Sequence, residues 1–105
     1  MPLPLHPRKK LELIIDRPHL PRYLRLLEQR GVNGYTVLPA LGGRGTRGEW
    51  KDGGLTDAAD RVVVVAVLSE PTLEVLMLDL DALFEDFPGI VFVSDVEVLR
   101  AERFG

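Results

Sequence analysis

A chain of 105 residues, 46% apolar and 28% charged, has room for one modest hydrophobic core and one domain. It contains no cysteine, which excludes disulfides, thiolate metal sites and thiol nucleophiles. Its net charge of −3 is unevenly spread: no cation stands between Val62 and Leu99, where eight carboxylates do, so the chain lacks the broad basic face that nucleic-acid binding requires.

In chain order, Met1–Pro7 holds three prolines and reads as part of an extended arm over residues 1–9. Lys10–Asp16 alternates apolar residues at Leu11, Leu13 and Ile15 and predicts a strand. Pro18 and Pro21 bracket a helix start; Leu20, Tyr23 or Leu24, and Leu27 recur at helical spacing, and Gly31 fits the left-handed residue that closes a helix. Gly34–Leu41 predicts a second strand, with Pro39 placing part of it at an edge or bulge. Arg61–Leu68 (RVVVVAVL) has no alternation, which predicts a strand covered on both faces. Pro71–Phe87 has helical spacing, with Pro71 near its start and DFPG as its stop; Val75 and Leu78 fall off its main apolar stripe. Val91–Leu99 predicts the last strand.

The order β-α-β-β-α-β predicts an α+β, ferredoxin-like sandwich: an antiparallel sheet with both helices on one face. The other face then needs a cover, and a homo-oligomer packing sheet to sheet supplies it. The apolar run Val62–Leu68 is too short to span a bilayer, and the N-terminal charges follow the apolar residues, the reverse of a secretory signal. The expectation is a cytoplasmic protein with no membrane insertion.

Six of the ten glycines fall between Gly42 and Gly54, in a run that also carries Arg44, Arg47 and Lys51. Residues 42–60 are too long for a plain hairpin turn and predict a long loop. Glycines let main-chain amides approach a ligand, and arginines beside them suit phosphate or carboxylate oxygens. The function expected of the loop is anion capture; a plain solvated hairpin extension is the alternative. Gly43, Gly45 and Gly48 match G-x-G-x-x-G, but the following EWKDGG opens no helix, so the dinucleotide fingerprint fails. Gly48 and Gly53 are followed by Gly-Leu, which is no P-loop. His6 and His19 sit in proline-rich junctions without metal-ligand spacing. Trp50, the sole tryptophan, either contacts a partner or tucks against its own domain.

The stretch Gly31–Thr46 (GVNGYTVLPALGGRGT) resembles the second strand and loop start of the PII-like signalling proteins, closest to the branch that regulates bicarbonate uptake or is associated with carboxysomes. Element order, length and the long loop between the second and third strands agree with that family over nearly the whole chain. The resemblance implies a homotrimer that binds adenine nucleotides in clefts between subunits and reports through the long T-loop, residues 42–60. On that resemblance, Gly34, Tyr35, Thr36 and Val37 would line the adenine pocket, with the Thr36 hydroxyl as base contact. Val64 and Val65 would offer main-chain groups to the base edge. Gly42, Gly43, Arg44 and Gly45 would meet phosphates at the loop base, Pro88 and Gly89 would form the second phosphate loop, and Arg100 and Arg103 would complete the anion site.

The loop has no tyrosine, so regulation by tyrosine modification is not implied. The second phosphate loop is shortened to DFPGIV without a lysine, which favours ADP or AMP over ATP. A carboxysome-linked member would also sense bicarbonate, whose planar oxygens fit a guanidinium fork from Arg44 or Arg47. The partner implied for the T-loop is a bicarbonate transporter or a carboxysome-related protein. Two other functions compete with this non-enzymatic sensor. An acylphosphatase-like phosphohydrolase would need an amide side chain to position water, and Gln29 and Asn33, the sole Gln and Asn, are far in sequence from Arg44. A structural assembly module would bind protein alone and no nucleotide.

Overall fold

The computed structural model describes residues 3–45, 48–51 and 60–105, with residues 48–51 described by their main chain. Eight elements follow in order: β1 (His6–Asp16), α1 (Leu20–Gln29), β2 (Tyr35–Ala40), β3 (Gly42–Gly45), β4 (Gly48–Lys51), β5 (Arg61–Leu68), α2 (Glu70–Phe84) and β6 (Ile90–Val98). Four strands form one antiparallel sheet in the order β2-β5-β1-β6, while β3 and β4 form a separate two-stranded ribbon. This is the ferredoxin-like arrangement expected of the element order.

The register fixes which side chains share a face. Leu11, Leu13 and Ile15 of β1 lie across from Ala66, Val64 and Val62 of β5. All six are buried, and Tyr23 and Leu27 of α1 and Leu73, Leu76 and Leu80 of α2 close over them. Alternation along a strand sends the remaining residues to the opposite face. There Leu38, Val63, Ile14 and Ile90 make one cross-strand row, and Thr36, Val65, Glu12 and Phe92 the next.

Each helix is ended by its own local chemistry. Gly31, at φ +84°, is the left-handed residue after α1; its N–H donates to Glu28 O (3.0 Å) and the Val32 N–H to Leu27 O (2.9 Å). That pair of bonds is the Schellman closure, and it satisfies carbonyls that a helix end leaves open. The Ser69 side chain caps α2, accepting from Thr72 N at 3.4 Å. Tyr23 donates its hydroxyl to Phe87 O and so ties α1 to the turn after α2. The guanidinium of Arg30 forks onto Asp79 of α2, with Nη2 to Oδ1 at 3.0 Å. That fork holds the Asp79 carboxyl below its ordinary range.

Three expectations are corrected. The N-terminal arm is shorter than residues 1–9, because β1 begins at His6 and pairs with β6 from His6↔Val98 onward. On β5, Val62, Val64, Ala66 and Leu68 are buried under the helices, while Val63, Val65 and Val67 are half-buried on the face that the element order leaves without a helix. Both helices take the same side of the four-stranded sheet, and no helix or strand among the described residues layers the other. The start of the glycine loop is a paired ribbon, with rungs Gly42↔Lys51, Gly43↔Trp50, Arg44↔Glu49 and Gly45↔Gly48. α2 ends at Phe84 rather than Phe87, because the Asp86 and Phe87 N–H groups both turn back onto Leu83 O. Pro39 does lie in an edge strand, as its missing N–H requires.

Candidate functional site

The sheet separates the expected site residues into two groups. At one end lie Ala40, Arg61, Asp16 and Ile90, and with them the ribbon base Gly42–Gly45 and the Pro88–Gly89 turn. At the other end lie Tyr35, Leu68, His6 and Val98, followed by the turn that carries Arg100 and Arg103. β5 runs the whole distance, and seven steps at roughly 3.3 Å put its ends about 23 Å apart. No single copy of the chain brings the two groups together.

At the ribbon end, Gly42, Gly43 and Arg44 are exposed. A two-stranded ribbon leaves one edge of each strand unpaired, so alternate amides of Gly42–Gly45 remain available to a ligand. The ends of β1 and β5 are fastened beside it: Arg61 Nε donates to Asp16 Oδ1 at 3.2 Å, and the Arg17 N–H donates to Asp60 O at 3.0 Å. These carboxylates balance the cations next to the expected anion site; their pairing depends on strand register, which the linear sequence hides. Gly89 is packed rather than open. A Cβ there would sit 2.7 Å from Ile15 Cγ2 and 3.1 Å from both Ile14 O and Phe84 Cε1. Its glycine is required by the close approach of β1 and α2, while Pro88 beside it is exposed. Arg47 lies outside the described residues, as does the side chain of Trp50.

At the opposite end, Gly34 is exposed and open on every side, and Thr36 and Val37 are exposed on β2. Tyr35 is half-buried against the core, and its hydroxyl donates to Glu28 Oε1 at 3.0 Å. That bond raises the phenol's pKa above its ordinary value. Val64 and Val65 do not fit the role expected of them. β5 is flanked on both sides, Val64 by Val37 and Leu13, Val65 by Thr36 and Glu12, so their main-chain groups belong to the two ladders. The last β2 rung is Tyr35↔Ala66. Beyond it, Val67 and Leu68 have a strand partner on the β1 side and none on the β2 side. Only the register reveals this offset.

The C-terminal turn is held down at the same end. Arg8 Nε donates to Phe104 O (2.7 Å) and Arg8 Nη2 to Ala101 O (3.0 Å). The Ser69 N–H donates to Gly105 O at 3.1 Å. Arg100 and Arg103 are exposed on this turn and have no side-chain partner among the described residues. His19 packs its ring 4.6 Å from that of Phe87, a core-edge contact rather than a ligand position. No group of acidic and histidine side chains among the described residues is arranged to hold a metal ion. No helix among the described residues is long and apolar enough to cross a membrane.

The family profile of nitrogen regulatory protein P-II matches residues 8–103. The chain belongs to the PII family. Within it, the chain is 31% identical to CPII, a nitrogen regulatory PII-like protein from Thiomonas intermedia K12, in a structure bound to ADP, AMP and bicarbonate. That match covers 98% of each chain at a TM-score of 0.89. A second CPII structure, bound to ADP and bicarbonate, is 35% identical, covers 99% of this chain and 100% of the other, and has a TM-score of 0.86. A PII-like signalling protein from Thermus thermophilus, 24% identical with a TM-score of 0.80 over 96% of this chain and 98% of the other, shares the fold. No curated protein sequence matches the chain. The PII resemblance carried by Gly31–Thr46 is thereby established, and with it a PII-like signalling fold.

Proposed function

We propose that this PII protein is a non-enzymatic, cytoplasmic sensor that assembles as a homotrimer and binds ADP or AMP, in preference to ATP, in the clefts between subunits. The observation that carries the reading is the separation of the two residue groups. Gly34–Val37, Arg100 and Arg103 of one copy need Gly42–Gly45 and Pro88–Gly89 of another to surround one ligand. The uncovered sheet face, with Leu38 at 47%, Ile90 at 50% and Phe92 at 47% exposure, supplies the surface on which copies meet. The base edge is read by main-chain groups at Val67 and Leu68, beyond the Val64–Val65 position expected from sequence.

Bicarbonate is the second ligand. Arg44 and Arg47 supply the guanidinium fork, and the T-loop, residues 42–60, carries the signal to a bicarbonate transporter or carboxysome-related protein in inorganic-carbon metabolism. The binding of ADP, AMP and bicarbonate by CPII supports this choice of ligands. Bound nucleotide orders the loop that carries the arginines and so raises bicarbonate affinity, and the coupling acts by the same factor in reverse.

Calorimetry tests the reading directly. ADP is expected to bind a species of three times the chain mass, and bicarbonate to bind more tightly when ADP is saturating. Equal bicarbonate affinities with and without ADP remove the coupling. A monomer that binds no adenine nucleotide removes the sensor.

A further inference from the structure

We propose that Arg8 is the positioning residue of the anion site, clamping the C-terminal turn so that Arg100 and Arg103 are presented to the ligand's phosphates. The inference rests on the reading above that Arg100 and Arg103 meet those phosphates.

The need for a clamp comes from the strand ends. The last β1–β5 rung is Lys9↔Leu68, after which β5 leaves the sheet to begin α2. Arg8 therefore stands one residue past that rung, paired with Val96 of β6 on one side and with no strand on the other. The C-terminal turn fills that vacant side. It is a single tight turn, closed by the Phe104 N–H on Ala101 O at 3.0 Å and the Arg103 N–H on Arg100 O at 3.2 Å. One such turn has no core of its own and too few internal bonds to hold its place.

Arg8 supplies the missing restraint. Its Nε and Nη2 take the carbonyls at the two ends of the turn, Phe104 O and Ala101 O, and Nη1 donates to its own strand at Pro7 O (2.8 Å). The three donors of one rigid guanidinium thus fix the turn relative to β1. Ala101 O accepts from both Arg8 and Phe104 N, which locks the turn's shape as well as its position. Arg100 directly precedes Ala101, and Arg103 directly precedes Phe104. The two carbonyls that Arg8 holds are therefore the ones next to the two arginines. Half-buried Arg8 carries no acidic partner among the described hydrogen bonds and ion pairs, and its guanidinium is committed to main-chain carbonyls.

The test compares ADP with adenosine, which lacks phosphates, by calorimetry on the intact assembly. Arg8→Ala is expected to weaken ADP about tenfold, as the loss of two charge-assisted hydrogen bonds would, and to leave adenosine unchanged. In an Arg100→Ala/Arg103→Ala background the same change is expected to cost nothing further, since linked residues are not additive. Arg8→Lys restores charge but not the fork and is expected to behave like Arg8→Ala. Full recovery by Lys, an unchanged ADP affinity, or equal loss of ADP and adenosine each overturns the proposal. If the wild-type protein binds no ADP, the sensor reading fails by itself. Hydrogen exchange on the free protein then decides the clamp: faster exchange at the Arg103 and Phe104 amides in Arg8→Ala supports it, and unchanged exchange overturns it.

Discussion

Tyr23 is the largest fully enclosed side chain of the core, yet it carries a hydroxyl. The fold accommodates that group by giving it the Phe87 carbonyl, in the turn that follows α2. Burial, and next the charge of Asp16, push its pKa up to about 12. An acid whose folded pKa is raised stabilises the fold only while it stays protonated in the folded state. Stability is therefore complete below the ordinary tyrosine value of 10.0 and declines as the pH rises from there to about 12. Urea unfolding followed across that alkaline window should show the decline in the wild type and a smaller one in Tyr23→Phe, where Tyr35 alone of the two raised phenols remains. At neutral pH the substitution is expected to cost about 1–2 kcal/mol, because it leaves the Phe87 carbonyl without its donor. Tyr35 differs: its ring is half-buried and its hydroxyl meets the exposed carboxylate of Glu28.

Among the elements, the turn from α2 into β6 separates packing from binding. DFPG reads in sequence as a helix stop and, by resemblance, as a phosphate loop. In the fold its glycine is wedged against Ile15, Ile14 and Phe84. Gly89→Ala should therefore destabilise the protein by about 1–3 kcal/mol through overpacking. Thermal unfolding of the ligand-free protein is the measurement, and an unchanged melting temperature would show that β1 and α2 can move apart. Gly31 is a glycine for a different reason, a positive φ with open space around it. The two helices also differ in what the sequence revealed. α1 has a clean stripe of Tyr23 and Leu27, flanked by half-buried Leu20, Leu24 and Leu26. α2 is apolar well beyond its buried Leu73, Leu76 and Leu80, leaving Leu78 at 73% exposure.

For the molecule as a whole, the decisive feature is a sheet with one face buried under both helices and the other, among the described residues, half-buried to exposed. Leu38, Val63, Ile14 and Ile90 run across all four strands in one row, with Val65 and Phe92 beside them. Sheet faces of this kind are buried when strands are apolar on both sides. Phe92→Asp places a carboxylate in that surface, in the same row as Glu12 and on the strand next to it. The substitution is expected to convert the assembly to monomer with little change in the helix-covered core. Light scattering at micromolar concentration measures the mass, and an intact trimer would show that copies meet elsewhere. On the proposed inter-subunit site, loss of nucleotide binding should accompany the loss of assembly.

The element order, the Schellman glycine after α1, the edge position of β2 and the PII resemblance of Gly31–Thr46 were all determined by the sequence, because each depends on local dihedral preference, on hydrophobic period or on a contiguous motif. Register was not. It decided that Val64 and Val65 lie between two strands while Val67 and Leu68 lie beyond the last β2 rung, and that residues 42–45 begin in a ribbon. Register also carried Arg8 to the C-terminal turn, across a sequence separation of more than ninety residues. Such contacts depend on where strands stop relative to one another, and that is a property of the folded sheet as a whole rather than of any segment within it.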